Sequence, residues 1–315
     1  MLAAHTVNSA PSFYRRPPTT TTTSSSTASS VSANMGPTTT PTFSKASEGL
    51  EGVPVRTFIT IRNIQEAIDS KKLKANKASP YLIFHFVTTD DLLNIERARE
   101  SGEIDRGVRM THYVDWKILI LKVPTVEHEI AHRSFGHELV IREVGMGLER
   151  ELVNIGATTF KTPRVSKEGD TAFKPRSIRA RKADWPTIVI ESGWSESLTR
   201  LRQDARGWLE NSRGKVKIVL LISIGRRART IIIEKWENRP VSANRAATRS
   251  NTTQTPTQIQ VITINSDSNT VNGAPLTLEF RKIFLRQAVP PLEHDFTFTT
   301  QDLSEFANDF WAALL

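Results

Sequence analysis

The chain has 315 residues, a formal net charge of +9 at pH 7 and no cysteine. This length has room for one large or two ordinary domains. The lack of cysteine excludes disulfide scaffolds, cysteine proteases, thiolate zinc sites and iron–sulfur clusters. The longest apolar run, around Val219–Ile224, is far shorter than the roughly 20 residues of a membrane span, so the sequence predicts a soluble protein with no membrane partner. The excess of 42 Lys and Arg over 33 Asp and Glu favours acidic partners.

Residues 1–52 are rich in Ser, Thr and Pro and contain no acidic residue before Glu48. Such a segment cannot bury enough apolar surface to offset its conformational entropy, so we predict a disordered tail. With Arg15 and Arg16, the composition also matches an organellar transit peptide, although no amphipathic helix is evident. A plain tail is favoured, and with it an intracellular location that is nuclear or cytoplasmic rather than mitochondrial.

Residues 53–125 are predicted to form an accessory α/β segment without recognisable chemistry. The predicted elements are a strand Val55–Ile61, a helix Asn63–Leu73, a strand Tyr81–Val87, a helix from Thr88 toward Glu100 and a strand Trp116–Val123.

Residues 126–315 show the sharper pattern, and their core 126–236 predicts the element order αβββαβ. A helix from Val126 to Ile155 would bury one stripe, formed by Val126, Ile130, Ile141, Val144, Leu148, Leu152 and Ile155. The next predicted elements are strands Ala157–Lys161, Asp170–Phe173 and Thr187–Glu191, a helix Ser195–Asn211 and a fully buried strand Val216–Ile224. The last predicted elements are a strand Thr230–Trp236, a polar loop Glu237–Pro256, and strands Ile259–Ile264 and Leu276–Phe280. They are followed by a helix from Thr299 that buries Leu303, Phe306, Phe310 and Leu314. The predicted fold class is therefore α/β with a mixed sheet.

The run His128-Glu129-Ile130-Ala131-His132 matches the pattern of zinc proteases, in which two His bind Zn²⁺ and the Glu activates water. Charged neighbours at Glu127 and Arg133 weaken this interpretation, and the third His of the longer motif is absent at its spacing. A third ligand would have to be Glu149 or Glu151. A zinc metalloprotease therefore remains a minor alternative.

Asp170 and Glu191 form the preferred pair of functional residues. Each lies at one end of a predicted strand, and two neighbouring antiparallel strands can bring two carboxylates together around Mg²⁺ or Mn²⁺. Such a metal can activate water and stabilise charge on a phosphodiester under attack. Glu191 is unusual because it ends the apolar run Thr187–Ile190, where an unpaired carboxylate would be costly. The structural alternative is that Asp170 lies in a turn and Glu191 is a surface residue at the end of a strand.

The stretch from Gly169 to Leu209 contains the runs Asp170-Thr171-Ala172-Phe173 and Ile188-Val189-Ile190-Glu191-Ser192-Gly193. Together with the order of the elements, these runs resemble the restriction-endonuclease-like superfamily of PD-(D/E)XK nucleases. Within it, the stretch is similar to a group of mostly uncharacterised fungal proteins. The resemblance covers roughly residues 126–236. It implies that Asp170 and Glu191 bind the metal, and it leaves open whether a helix acid, Glu129 or Glu138, joins them.

The chain departs from the family pattern at Gly193, where the resemblance implies a Lys two residues after the Glu on the same strand face. Some relatives supply the cation from the following helix, which makes Arg200, Arg202 and Arg206 the candidates. A helical wheel places Arg202 closest to the buried face and favours it. Because Arg stays protonated, its predicted role is phosphate or transition-state binding.

Basic residues surround Asp170, and this favours nucleic acid as the partner. They are Lys161, Arg164, Lys167, Lys174, Arg176, Arg179, Arg181 and Lys182. A second basic cluster, Arg226, Arg227 and Arg229, falls at a predicted hairpin turn. The sequence therefore predicts a Mg²⁺-dependent nuclease-like protein, with a catalytically inactive nucleic-acid-binding or interaction module of the same fold as the alternative.

Overall fold

The computed structural model describes residues 46–73, 79–194, 198–240 and 254–315. Most of the predicted tail (residues 1–45), the start of the predicted helix at 195–197 and most of the predicted polar loop (241–253) lie outside the described residues. The rest is a mixed α/β structure, which confirms the predicted fold class. No helix in these four described ranges is long and apolar enough to span a membrane.

The first sheet has six strands in the order β1-β2-β4-β3-β7-β6. Its strands are β1 (Val55–Thr57), β2 (Tyr81–His85), β3 (Arg109–Tyr113), β4 (Ile118–Lys122), β6 (Thr159–Lys161) and β7 (Val165–Glu168). Helices α1 (Ile61–Lys72) and α2 (Thr89–Ser101) pack on it, and α2 begins with a capping box in which Thr88 and Asp91 exchange hydrogen bonds.

This sheet crosses the predicted boundary at residue 125. Thr111 and Tyr113 of β3 pair with Lys167 and Val165 of β7, so the segment 53–125 shares a sheet with the chain that follows it. The segment 46–52, predicted as part of the tail, is also ordered against this sheet, since Ala46 and Leu50 are buried. Residues 53–125 are therefore part of the structure that builds the site described below.

The second sheet has seven strands in the order β13-β12-β11-β10-β9-β8-β5. They are β5 (Leu152–Asn154), β8 (Thr171–Pro175), β9 (Ile188–Trp194), β10 (Ile218–Gly225), β11 (Thr230–Pro240), β12 (Gln254–Asn265) and β13 (Thr270–Asn272). Strands β5, β8 and β9 pair in antiparallel fashion. Helix α4 (Leu198–Asn211) then connects β9 to β10, and these two strands pair in parallel. The predicted αβββαβ order is present, but β5 takes the place of the predicted strand 157–161, whose residues join the first sheet as β6.

Helix α3 (Val126–Gly145) differs from the prediction in both length and orientation. It ends at Gly145 rather than Ile155, and Val126, Ile141 and Val144 of the predicted buried stripe are exposed. The face toward the second sheet instead carries His128, Ala131, His132, Phe135, Gly136, Leu139 and Glu143. Gly136 explains this choice: a Cβ there would lie 3.2 Å from Cζ of Phe173, so the bare backbone lets the helix approach the sheet closely.

The C-terminal elements cover the other part of the same core. Strands β14 (Leu276–Leu278) and β15 (Phe296–Phe298) form a small hairpin, and α5 (Phe280–Phe284) lies between them in the chain. Helix α6 (Thr300–Ala312) begins with the predicted capping box at Thr299 and Asp302 and buries Leu303, Phe306 and Phe310, as predicted. The opposite side of the core strands β9 and β10 packs against α4, which also contacts the first sheet through the pair of Asp204 and Lys167.

Candidate active site

Asp170 and Glu191 lie side by side at the end of the β8–β9 ladder. Thr171 pairs with Ile190 in this antiparallel ladder, so Asp170, one residue earlier, comes opposite Glu191. Both residues are buried. Burial raises the pKa of Glu191, and the negative charge of the neighbouring Asp170 adds to this effect.

Asp170 is held by a lysine and by the neighbouring strand. The Lys122 ammonium donates to Oδ2 at 2.9 Å, and the backbone N–H of Ser192 donates to the same oxygen at 2.8 Å. Burial alone would raise the pKa of Asp170, but Lys122 above all, with His132, the Ser192 N–H and Arg109, holds it well below its usual range. Its other oxygen, Oδ1, is buried without a hydrogen-bond partner and lies 3.9 Å from Nε of Arg109.

Glu191 has the opposite electrostatic balance. Its Oε1 accepts a hydrogen bond from the Trp208 indole at 2.6 Å and lies 3.6 Å from the Lys167 ammonium. Burial raises the pKa of Glu191 to about 7, because the attraction of Lys167 is opposed by the charges of Asp170 and Asp204. Two neighbouring carboxylates with widely separated pKa values are typical of acid–base or metal sites.

Lys122 supplies a cation beside Asp170 that the sequence analysis did not assign. It is the last residue of β4, and its ammonium bridges Oδ2 of Asp170 and the backbone carbonyl of Ser192 at 2.7 Å. Sequence reasoning missed it because the residue stands 48 positions before Asp170 on a strand of the other sheet. A signal was present, since Lys122 ends the buried run Ile118–Leu121 in the same way that Glu191 ends its own.

A second pair of cations lies on the α4 side of Glu191. Lys167 and Arg200 both contact Oδ1 of Asp204, Arg200 at 3.0 Å. Lys167 and Asp204 are both buried, and the carboxylates of Asp204 and Glu191 raise the pKa of the Lys167 ammonium against the opposing effect of burial. The sequence assigned Lys167 to an exposed phosphate-binding segment, and the structure places it among the buried carboxylates.

The helical wheel placed the wrong arginine on the buried face of α4. Arg200 is 1% exposed and belongs to the buried cluster, whereas the Arg202 side chain is 38% exposed and binds Glu234 of β11, with the shortest distance 2.6 Å. Arg206 contacts Glu48 at 3.4 Å. The error arises because α4 is covered on two sides, by the second sheet and by the segment of Ala46 and Gly49, so its buried face is wider than one sheet alone would require.

Of the two helix acids, the structure brings Glu129 to the site. Arg109 of β3 donates to Glu129 at 2.8 Å and lies beside Asp170, so it links the two carboxylates. Burial opposes ionisation of Glu129, but His132, Arg109 and Arg133 together lower its pKa to about 2. Glu138 instead pairs with Arg142, one turn further along α3.

The zinc-protease pattern lies on the buried face of α3, but its histidines have other partners. Nδ1 of His132 lies 2.6 Å from the Thr171 hydroxyl, and the backbone N–H of Thr125 donates to Nδ1 of His128. The proposed third ligands follow the end of the helix, where Glu151 accepts from Ser177. Among the described residues, no group of three or more His, Asp or Glu side chains is placed to hold a metal ion.

The predicted phosphate-binding residues divide into exposed and buried groups. Arg176, Arg181 and Lys182 are exposed, and so are Lys161, which pairs with Glu96, and Arg164, which approaches Asp115. Lys174 is buried and donates to the carbonyl of Arg181, and Arg179 donates to the carbonyls of Trp185, Pro186 and Lys215. Arg226, Arg227 and Arg229 lie at the turn between β10 and β11, as predicted. The exposed basic surface is therefore smaller than the sequence indicated.

Glu191 and Asp204 face a small cavity of about 10 Å³, with Lys122, Lys167 and Arg200 also in its wall. A larger cleft of about 690 Å³ opens beside α2 and β6, and Glu168, Arg99 and Lys182 are in its wall. Glu168 lines both spaces. In this conformation the site is closed to a ligand as large as a nucleotide.

A hard divalent cation fits these residues chemically. Asp170 Oδ1 is a buried carboxylate oxygen without a hydrogen-bond partner, and Glu191 stands opposite it with a charge that burial disfavours. Mg²⁺ is commonly bound by one or two carboxylates together with waters and substrate phosphates. Asp170 and Glu191 are the two residues that could hold it.

Comparison with known proteins adds little to this description. No protein-family model matches the chain, and no curated protein matches it. A solved structure of a candidate nuclease of family DUF820 from Anabaena variabilis is similar over 63% of this chain and 90% of that one, with 13% sequence identity and a TM-score of 0.35. A likeness of this strength carries no argument, and none of these comparisons supports the fungal group. The geometry of the site has to carry the functional inference.

Proposed function

We propose that the chain is a Mg²⁺-dependent nuclease that acts on the phosphodiester backbone of nucleic acid at Asp170 and Glu191. The supporting observation is that two buried carboxylates stand opposite each other across the β8–β9 ladder with the Lys122 ammonium on one of them. Asp170 and Glu191 would hold Mg²⁺ or Mn²⁺, which supplies activation of water and stabilisation of charge on the phosphodiester when bound.

Lys122 takes the part of the lysine that the motif lacks at Gly193. Its ammonium keeps Asp170 ionised and fixes Oδ2, which leaves Oδ1 for a ligand. An ammonium is a compact point charge that can also meet a phosphate oxygen. Lys122 is therefore the residue of this chain best placed to stabilise negative charge near Asp170.

Glu191 makes the proposed site sensitive to pH. With a pKa of about 7, this carboxyl is partly protonated at neutral pH and would release a proton when a cation binds. Cation affinity should therefore rise as the pH increases from 6 to 8. Exposed Arg176, Arg181 and Lys182 supply the sequence-independent attraction for the phosphate backbone.

A second candidate is a catalytically inactive nucleic-acid-binding or interaction module. It is favoured by the pairing of every carboxylate in the cluster with a cation within 4 Å: Asp170 with Lys122, Glu191 and Asp204 with Lys167, and Glu129 with Arg109. Such a network is balanced without a metal ion. It would keep the fold while cutting nothing.

The decisive experiment is cleavage of single- and double-stranded DNA and RNA by the purified chain with Mg²⁺, Mn²⁺ or EDTA. Asp170→Asn and Glu191→Gln should each lower the rate about 100-fold or more, while Asp115→Asn, at an exposed carboxylate, should not. Circular dichroism confirms that each variant is folded.

Two results would contradict the nuclease proposal. Cleavage that persists in both site variants would place the activity elsewhere or in a contaminant. Salt-sensitive binding with no cleavage under any metal would instead support the inactive module.

A further inference from the structure

The chain carries its own cover over the α4 side of the carboxylate cluster. We call residues 46–53 the strap. Ala46 and Leu50 of the strap are buried, and Leu50 packs in a cluster with Tyr81, Ile83 and Ile120 of the first sheet. The strap therefore lies across the gap between this sheet and α4.

The strap contacts Arg200 through its backbone. The Arg200 guanidinium donates to the carbonyl of Ala46 at 2.8 Å. Gly49 has a φ of +78° and lies so close to the helix that a Cβ at this position would be 2.4 Å from the backbone nitrogen of Arg200. Only a glycine allows this backbone conformation together with this approach.

A further strap contact is electrostatic. Glu48 lies 3.4 Å from Arg206, and both side chains are more than one third exposed, so this pair contributes little. The strap thus places a carbonyl and a carboxylate on two arginines of α4. Phosphate oxygens make the same kind of bond to a guanidinium.

Arg200 and Tyr81 connect the strap to the site, since both line the 10 Å³ cavity that Glu191 and Asp204 face. This cavity has no room for a phosphodiester. We propose that the strap closes the carboxylate site and has to leave Arg200 before a phosphodiester reaches Glu191. The nature of this ligand rests on the proposed function, whereas the closure itself does not.

The test uses two glycines of the strap as a matched pair in the full chain. Gly49→Val adds a side chain that collides with Arg200, while Gly52→Val has nothing within 4 Å of its Cβ. Both glycines have a left-handed φ, +78° and +80°, so the backbone strain is similar in the two variants. Glu48→Arg provides a milder way to weaken the strap without touching a buried residue.

Access to the cavity is measured with a single thiol, because the natural chain has no cysteine. Thr111→Cys places it in the cavity wall, and the rate of its labelling by a small thiol reagent reports opening. Gly49→Val should raise the labelling rate at least about tenfold and Glu48→Arg about twofold to fivefold, with no rise for Gly52→Val. Cleavage of single-stranded DNA with Mg²⁺ should rise in the same order.

The two readouts separate the closure from the function. Faster labelling in Gly49→Val without cleavage by any variant would support the strap and contradict the nuclease. Equal labelling in Gly49→Val and Gly52→Val, or unchanged labelling in both Gly49→Val and Glu48→Arg, would overturn the strap, even if the natural chain cleaves DNA.

Discussion

Replacing Lys122 by methionine removes the cation from Asp170 while keeping much of the buried side-chain volume. The ammonium lies 2.9 Å from Oδ2, and the two side chains are 7% and 1% exposed. Loss of one partner from a buried ion pair typically costs about 3–5 kcal/mol, because the other charge stays buried without compensation. The carbonyl of Ser192 loses its donor as well. We expect Lys122→Met to lower the free energy of unfolding by about 3–5 kcal/mol at pH 7.

Urea unfolding followed by circular dichroism measures this change. With an m-value of roughly 2–3 kcal/mol/M, the midpoint should fall by about 1–2.5 M. Lys161→Met is the matched control, because Lys161 also pairs with a carboxylate, that of Glu96, but is 51% exposed, and it should cost less than about 1 kcal/mol. Combining Lys122→Met with Asp170→Asn should recover at least half of the loss, since the buried charge is then gone.

The pH dependence of the same variant provides an independent check. In the natural protein the pKa of Asp170 is depressed, so its contribution to stability is present above the unfolded pKa of about 3.9 and is lost as the pH falls through the folded pKa. Lys122 is the largest cause of this depressed pKa, so the difference between variant and natural protein should stay constant from pH 7 to about 4 and shrink as the pH falls below about 3.9. A cost of Lys122→Met no greater than that of Lys161→Met would refute the reasoning.

Three further predictions concern other parts of the site and its support. The pKa of Glu191 is raised to about 7, so between pH 4.5 and 7 the folded state holds a proton that the unfolded chain has lost, and the free energy of unfolding should fall across this window by up to about 3 kcal/mol. Glu191→Gln should flatten this dependence of stability on pH, measured by urea unfolding at each pH, and an unchanged dependence would contradict the assignment. Gly136→Val should lower the stability of the fold by about 2–3 kcal/mol, since a Cβ there meets Phe173. The control Gly145→Val, whose Cβ meets nothing within 4 Å, should change it by less than about 1 kcal/mol in thermal unfolding. Similar losses of stability in both variants would exclude the close approach of helix and sheet as the cause. Arg202→Ala should lower the free energy of unfolding by about 2 kcal/mol, because the buried Glu234 loses its guanidinium partner, and it should leave any cleavage rate unchanged. A lower cleavage rate in a fully folded variant would support Arg202 as a site residue.

The succession of elements was predictable because apolar runs separated by polar turns mark most strands of the second sheet. The pairing of Asp170 with Glu191 was predictable as well, since both stand at strand ends. The predicted buried stripe of α3 was wrong, because hydrophobicity alone selected Val126, Ile141 and Val144, which are exposed. The sheet instead accepts the face of the helix that carries Gly136. Packing distance decided between the two faces, and a single sequence does not contain it.

The cations of the site were the least predictable part. Lys122 and Arg109 reach Asp170 from strands of the first sheet, and no local period or spacing links them to it. Arg200 was misplaced because the wheel assumed one partner surface for α4, whereas Ala46 and Gly49 of the strap cover a second one. A buried Lys or Glu that ends an apolar run is the one signal that the sequence offered for both Lys122 and Glu191.

The pairing of β3 with β7 has a consequence for how the chain folds. Thr111 and Lys167 are neighbours across this ladder although more than 50 residues separate them in the chain, so the first sheet is completed only after α3 and β5 have formed or at least been synthesised. Until then β3 is an unprotected edge strand, which can pair with another chain. Late, non-local closure of this kind slows folding. A fragment that ends before β7 should therefore aggregate, and one that begins at Val126 should leave the opposite edge open.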